Sequence, residues 1–152
     1  LAFLEFDSIK ETGRPALGLK FRAMERGPVP IEIYEKRGSY ETECFKFKHV
    51  GEDKYVIIAK GKANLDFFSP YEINEMKRLI EIFANKFVKS NEMSESSHQE
   101  IKAWKRTWGK KPNSIIEYEL TFDGDLKNKD PKELSVAEES YLIYKSIEEA
   151  SR

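Results

Sequence analysis

The chain has 152 residues, 39% of them hydrophobic, which fits one ordinary domain and excludes a second independent core. A chain of this length buries roughly 68–70% of its unfolded surface, so neither a metal nor a disulfide is needed to hold it together. The balance of 26 Lys+Arg against 27 Asp+Glu excludes a global field that would draw in nucleic acid or acidic lipid, and charges interrupt every apolar run before it can span a membrane.

In chain order, Leu1 to Phe6 is an apolar run broken only by Glu5. It reads as the later part of a buried helix, so further N-terminal helix is expected upstream of it. Gly13-Arg14-Pro15-Ala16-Leu17-Gly18 has the glycine spacing of a phosphate loop. Leu19 stands where that loop needs Lys, and no Ser or Thr follows Lys20, so the mechanism fails. The stretch containing Leu19, Phe21, Ala23 and Met24 reads as a short helix, and Ile31, Ile33 and Tyr34 as another. Between them Gly27-Pro28-Val29-Pro30 would stop the first and start the second, with Gly27 in the left-handed conformation.

Residues 44–49 alternate strictly, and after a Gly51-Glu52-Asp53 turn comes Tyr55-Val56-Ile57-Ile58-Ala59, so the pair reads as a β-hairpin. The second strand is apolar on both faces and is expected to lie between helices and further protein. Ser69, Pro70 and Glu72 then spell a capping box, with Phe68 and Ile73 as a staple, opening a helix whose core stripe is Ile73, Met76, Ile80, Phe83 and Phe87. A shorter helix is predicted from about Ser97, capped with Glu100, to Trp108, burying Ile101, Trp104 and Trp108 on one face. Ile116, Tyr118, Leu120 and Phe122 alternate with polar residues as a third strand. A second capping box, Ser135 with Glu138, opens a C-terminal helix within 130–152, with Val136, Ile143, Ile147 and Ala150 as its docking face. The expected fold is α+β, a mainly helical single domain over 1–152 with a small antiparallel sheet that includes the hairpin.

Chemistry is scarce. Cys44 and His49 lie five residues apart on one strand and so point to opposite faces, which argues against a nucleophile dyad or joint zinc ligation. Cys44 is read as a small core residue, and a lone thiol favours a reducing, cytoplasmic setting. Asp123-Gly124-Asp125 begins like a calcium loop, but Lys127, Asn128 and Leu134 occupy positions that need an oxygen ligand, the turn glycine and the bidentate Glu. His98 has no legible catalytic partner and is read as structural. No metal site and no cofactor is expected.

The segment 101–112 is locally basic, with Lys102, Lys105, Arg106, Lys110 and Lys111 interleaved with Trp104 and Trp108, a composition that would suit phosphates and stacked bases. The following segment, 113–152, carries ten acidic residues against five basic ones and can answer that charge, internally or between subunits of an oligomer.

The run from Thr12 to Pro30, with Gly13-Arg14-Pro15 and Gly27-Pro28-Val29, closely resembles the opening of the SocA-like or Panacea antitoxin domain, often phage-associated. Ser69-Pro70 with Glu72, Ser97-His98 and Ala103-Trp104-Lys105 continue the resemblance, which covers roughly 1–122. Thr12 departs from the Tyr that family members typically carry before Gly-Arg-Pro. The resemblance implies a non-enzymatic antitoxin of a toxin–antitoxin system, which binds a cognate protein toxin encoded beside it and in some cases presents that toxin to a protease. It also implies that Gly13, Arg14, Pro15, Gly27, Pro28, Val29, Ser97, His98 and Trp104 are structural. Neutralisation by binding calls for aromatic or Arg anchors, and Tyr34, Arg37, Tyr40 and Phe67 lie outside the core stripes. Two other classes compete: a nucleic-acid-binding regulator using 101–111, and an enzyme assembled from scattered Glu, Tyr and His98.

Overall fold

The computed structural model describes residues 1–52, 54–84 and 90–151. The fold is α+β and mainly helical, with two separate two-stranded antiparallel sheets. Helix α1 (Ala2–Thr12) lies at its centre and buries Leu4, Glu5, Phe6, Ser8 and Ile9. Strands β1 (Phe21–Met24) and β2 (Gly27–Pro30) form a tight hairpin, followed by the short helix α2 (Ile31–Lys36). A second hairpin joins β3 (Phe45–Gly51) to β4 (Lys54–Ala59), as the alternation predicts. Helices α3 (Pro70–Phe83), α4 (Ser90–Glu100), α5 (Lys102–Lys110) and α6 (Val136–Ala150) complete the order, with 3-10 turns at Tyr118–Thr121 and Pro131–Glu133.

Both predicted capping boxes are present. The amide of Glu72 donates to Ser69 Oγ while Glu72 accepts from the Ser69 amide at 2.7 Å, and Ser135 with Glu138 repeats the arrangement. Such reciprocal bonds satisfy amides that a helix start leaves free.

Several other expectations are corrected. Residues 19–30 form no helix pair: Phe21 and Ala23 are buried while Arg22 is exposed, a period of two, and Gly27 (φ 117°) serves a hairpin. Pro30 is the N-cap of α2 and precedes its first turn. Ser97 does not cap a helix start but lies in the last turn of α4; the chain breaks at Ile101, the N-cap of α5. Of the expected third strand only Ile115 and Ile116 run beside β1, at the end of a stretch that starts at Asn113, with Asn113 N–H bonded to Ala23 O and Ile116 N–H to Phe21 O. Beyond it the chain coils into a 3-10 turn, because the Arg106 guanidinium takes the carbonyls of Leu120 (2.8 Å) and Phe122 that a neighbouring strand would otherwise satisfy.

Two buried clusters result. Phe6, Phe21, Ala23, Ile101, Ala103, Trp104 and Ile116 form one, and Ile9, Phe122, Leu126 and Tyr141 the other; α1 contributes Phe6 to the first and Ile9, one turn on, to the second, and Tyr118 packs against both. Helix α6 docks through Ala137 and Tyr141, whereas the face expected to dock is exposed, Val136 at 81% and Ile147 at 61%. The ion pairs Lys129–Glu138 (2.9 Å) and Lys145–Glu119 hold that rotation. Cys44 is only half-buried.

The α3 stripe is not core either: Ile73, Met76 and Phe83 are half-buried, Ile80 is exposed, and Phe87 lies outside the described residues. Helix α3 leans on α1 through a Phe3–Phe83 ring stack (5.1 Å) and through Arg78, which reaches Glu75 and Asp7. Burial, with Glu75 beside it, raises the Asp7 carboxyl to about 6, against the attraction of Arg78 and Lys10, while the Arg78 hydrogen bond holds Glu75 below its usual range. Asp7 therefore binds its proton more tightly folded than unfolded. Its contribution is present at low pH and is lost as pH rises from about 4 to about 6. Urea midpoints should show wild type falling behind Asp7→Asn across that window and the gap staying constant above it; equal pH profiles would contradict this coupling.

Candidate functional site

The residues read as partner anchors fall on two parts of the surface. Arg37 follows α2 directly, donates to Tyr34 O at 2.6 Å, and lays its guanidinium over the rings of Tyr34 (3.9 Å) and Tyr55 of β4 (5.2 Å). His49 continues this row, 4.9 Å from Tyr55. Tyr40 packs on Phe45 (5.7 Å) and Phe47 (6.5 Å) of the same hairpin. Tyr34, Arg37 and Tyr40 thus belong to one aromatic surface made by α2 and the second hairpin. Phe67 sits apart, on the connection to α3, 88% exposed and touching no other ring among the described residues.

The strand expected to lie between two protein layers is instead exposed. Val56, Ile57 and Ile58 of β4 are all open to solvent, Ile57 by 64%. Their apolar surface on both faces was legible in the sequence; among the described residues nothing covers it. Monomeric surfaces seldom expose contiguous apolar patches without an interaction to serve.

The motif residues converge elsewhere, at the turn between β1 and β2. Trp104 donates its indole N–H to Met24 O (3.0 Å), and the Ser94 hydroxyl donates to Arg26 O (2.9 Å). A side chain on Gly27 would meet Ser97 Oγ at 2.6 Å, so the hairpin turn and α4 touch because that position is glycine. His98 stacks flat on Trp104 at 3.9 Å, 4° from parallel, and Trp104 on Trp108 at 5.8 Å. Gly13 (φ 75°) ends α1 directly beneath α6, and Ser8 and Thr12 hydroxyls bond Arg14 O and Ser8 O at 2.8 and 2.7 Å. Arg14 itself is exposed, and Pro15, Pro28 and Val29 are half-buried.

Ser94 and His98 have the separation of a weak dyad, Oγ to Nε2 being 3.4 Å. A serine nucleophile must give its proton to the imidazole. Here the Ser94 hydroxyl donates to Arg26 O, an arrangement in which the 3.4 Å contact is filled by the ring donating to the serine rather than taking its proton. Part of the basic segment is paired within the chain. Lys102 (2.9 Å) and Arg106 both pair with Asp123, and Trp104 is buried rather than presented for stacking. The acid that answers this cluster comes from the acidic C-terminal segment, within the same chain. Among the described residues no three His, Cys, Asp or Glu converge as a metal-binding group, and no helix is long and apolar enough to cross a membrane.

Sequence reasoning missed Glu5. Its carboxylate is fully buried and accepts the amides of Leu17 (2.7 Å) and Leu19 (2.9 Å), with the Tyr118 hydroxyl against it. Burial and that carboxylate drive the Tyr118 hydroxyl pKa upward, keeping it a donor. The available signal was one charged residue inside the apolar run from Leu1 to Phe6.

Fold and surface together define a mainly helical α+β domain whose motif residues pack its framework and whose aromatic hairpin is left uncovered. A family model described as "Antitoxin SocA-like, Panacea domain" matches residues 1–105. The chain belongs to that family, whose description supports an antitoxin-type role in general. Comparisons with curated proteins and with solved structures each gave no match.

Proposed function

We propose that this chain is a cytoplasmic antitoxin module that neutralises a cognate protein toxin, encoded beside it, by direct binding, without catalysis or cofactor. The observation that carries the reading is the uncovered surface of α2 and the second hairpin, where Tyr34, Arg37 and Tyr40 pack on the face of the hairpin that also carries exposed Ile57. Aromatic and Arg side chains already held by neighbours lose little entropy on binding, which is what anchors of a protein interface require. The match to an antitoxin family supports a toxin as the partner in general.

The test is co-expression. The product of the adjacent reading frame should arrest growth alone and not in the presence of this chain. Tyr34→Ala combined with Arg37→Glu should weaken binding at least tenfold by calorimetry and restore arrest, with the thermal midpoint within a few degrees of wild type. Retained rescue by that double variant would remove this surface from the proposal. Toxin that disappears only when a host protease is present would indicate delivery for degradation; toxin that persists, bound, would indicate occlusion.

A further inference from the structure

The antitoxin reading leaves open how the partner is held, and the backbone of the second hairpin is informative. Lys60 N–H donates to Cys44 O at 2.7 Å, and the register pairs Phe45 with Ala59, Phe47 with Ile57 and His49 with Tyr55. Antiparallel strands alternate between pairs that exchange hydrogen bonds and pairs whose amides and carbonyls point outward. With Cys44 and Lys60 opposite one another and bonded, the 45/59, 47/57 and 49/55 pairs are the outward ones. On the β3 side this is visible directly, since Phe47 N–H reaches Tyr40 O and Thr42 N–H reaches Phe45 O. That edge is therefore capped by the chain's own residues 40–42.

On the β4 side the outward groups are the N–H and C=O of Tyr55, Ile57 and Ala59, and no hydrogen bond to them occurs among the described residues. An apolar edge strand with free backbone groups is a template for another strand. The two faces beside it differ. One carries Tyr55 and Ile57 with Phe45, Phe47 and His49; the other carries Val56 and Ile58 with Lys46, opposite Glu41 of the capping segment, and Lys48, neither of them within ion-pair distance of an acid among the described residues.

We infer that the partner adds an extended strand to the free edge of β4, with apolar side chains beside Tyr55 and Ile57 and acidic ones reaching across Val56 and Ile58 toward Lys46 and Lys48. A second copy of this chain is a poor occupant. Antiparallel pairing of two β4 strands about Ile57 would set Lys54 opposite Lys60 at each end and place four lysines, 46 and 48 from both copies, on one face. Like charges facing one another across a sheet are destabilising. The inference rests on the antitoxin reading and specifies its docking mode: main-chain bonds for affinity, alternate side-chain contacts for choice of partner.

The test uses the full chain and the purified product of the adjacent reading frame. On binding, amide exchange at Tyr55, Ile57 and Ala59 should slow at least tenfold while the already bonded Val56 and Ile58 change little. Ile57→Pro removes an N–H that β3 does not use, as edge-strand proline does, and should weaken binding at least thirtyfold; Ile57→Val should bind as wild type. Lys46→Glu with Lys48→Glu should weaken it further at low salt. If the product binds but those three amides exchange as before, strand addition is wrong while the antitoxin reading stands, and this holds even should Ile57→Pro fail to fold. Protection that appears on concentrating the chain alone would assign the edge to self-association and overturn the acidic partner. Failure of the folded wild-type chain to bind the product at all would remove the antitoxin reading and this inference with it.

Discussion

Gly13→Ala is expected to be the most damaging small substitution in the chain, lowering stability by about 3–5 kcal/mol. Two costs combine. At φ 75° any side chain is strained, which costs about 1–3 kcal/mol. The added Cβ would also lie 2.2 Å from Ala137 O and 2.7 Å from Tyr141 N, backbone atoms that cannot rotate aside, and overpacking of this kind costs about 1–3 kcal/mol where the structure gives way. The helix that must give way is α6, whose Tyr141 closes the cluster of Ile9, Phe122 and Leu126. Gly18 separates the two costs, since it shares the positive φ (66°) but has nothing within 4 Å of its Cβ position. Urea unfolding should therefore show Gly18→Ala losing only about 1 kcal/mol, and a thermal midpoint for Gly13→Ala lower by roughly 10 °C. Equal losses at the two glycines would mean that α6 does not sit where the structure puts it. The result also bears on the family: the matched segment ends at 105, yet its Gly13 is shaped by a helix that lies beyond it.

What could be read from the sequence follows the range of the interaction that decides it. The caps at Ser69 and Ser135 are settled within three residues, and the β3–β4 hairpin by strict alternation on either side of a Gly-containing turn. The β1–β2 hairpin was misread because four residues such as Phe21–Met24 fit either period, and the deciding bonds come from Ser94 and Trp104, about 70–80 residues away. On α6 the apolar spacing selected Val136, Ile143 and Ile147. The buried face instead follows the close approach that Gly13 permits, with Glu138 and Lys145 fixing the rotation through partners no periodicity encodes. For the candidate site, Tyr34, Arg37 and Tyr40 were picked out as residues outside the core stripes, and they do gather. That they gather on the hairpin could not be seen, because the Arg37–Tyr55 contact joins elements eighteen residues apart. The apolar character of β4 was legible too. The error was to infer burial from apolar character alone, since Val56, Ile57 and Ile58 stay exposed among the described residues.

Replacing Glu5 should be nearly as costly as filling Gly13, for the opposite reason. The loop from Gly13 to Leu19 has no regular partner, and two of its amides, Leu17 and Leu19, are satisfied by a single side chain projecting from α1. Tyr118, from the 3-10 turn, places its hydroxyl between that carboxylate and Leu19 O, so three separate segments meet on one group. In Glu5→Ala, the part-buried amides of Leu17 and Leu19 lose their acceptor and the Tyr118 phenol loses one of its two. Each orphaned group costs about 1–3 kcal/mol, so a total near 4 kcal/mol is expected. Glu5→Gln keeps the volume but turns an N–H₂ toward one of the two amides, donor against donor, and should lose about half as much. Amide exchange separates this local cause from general loosening. Leu17 and Leu19 should lose protection in Glu5→Gln well before Ile9 or Tyr141 does, whereas uniform loss at all four would show that the carboxylate merely fills space.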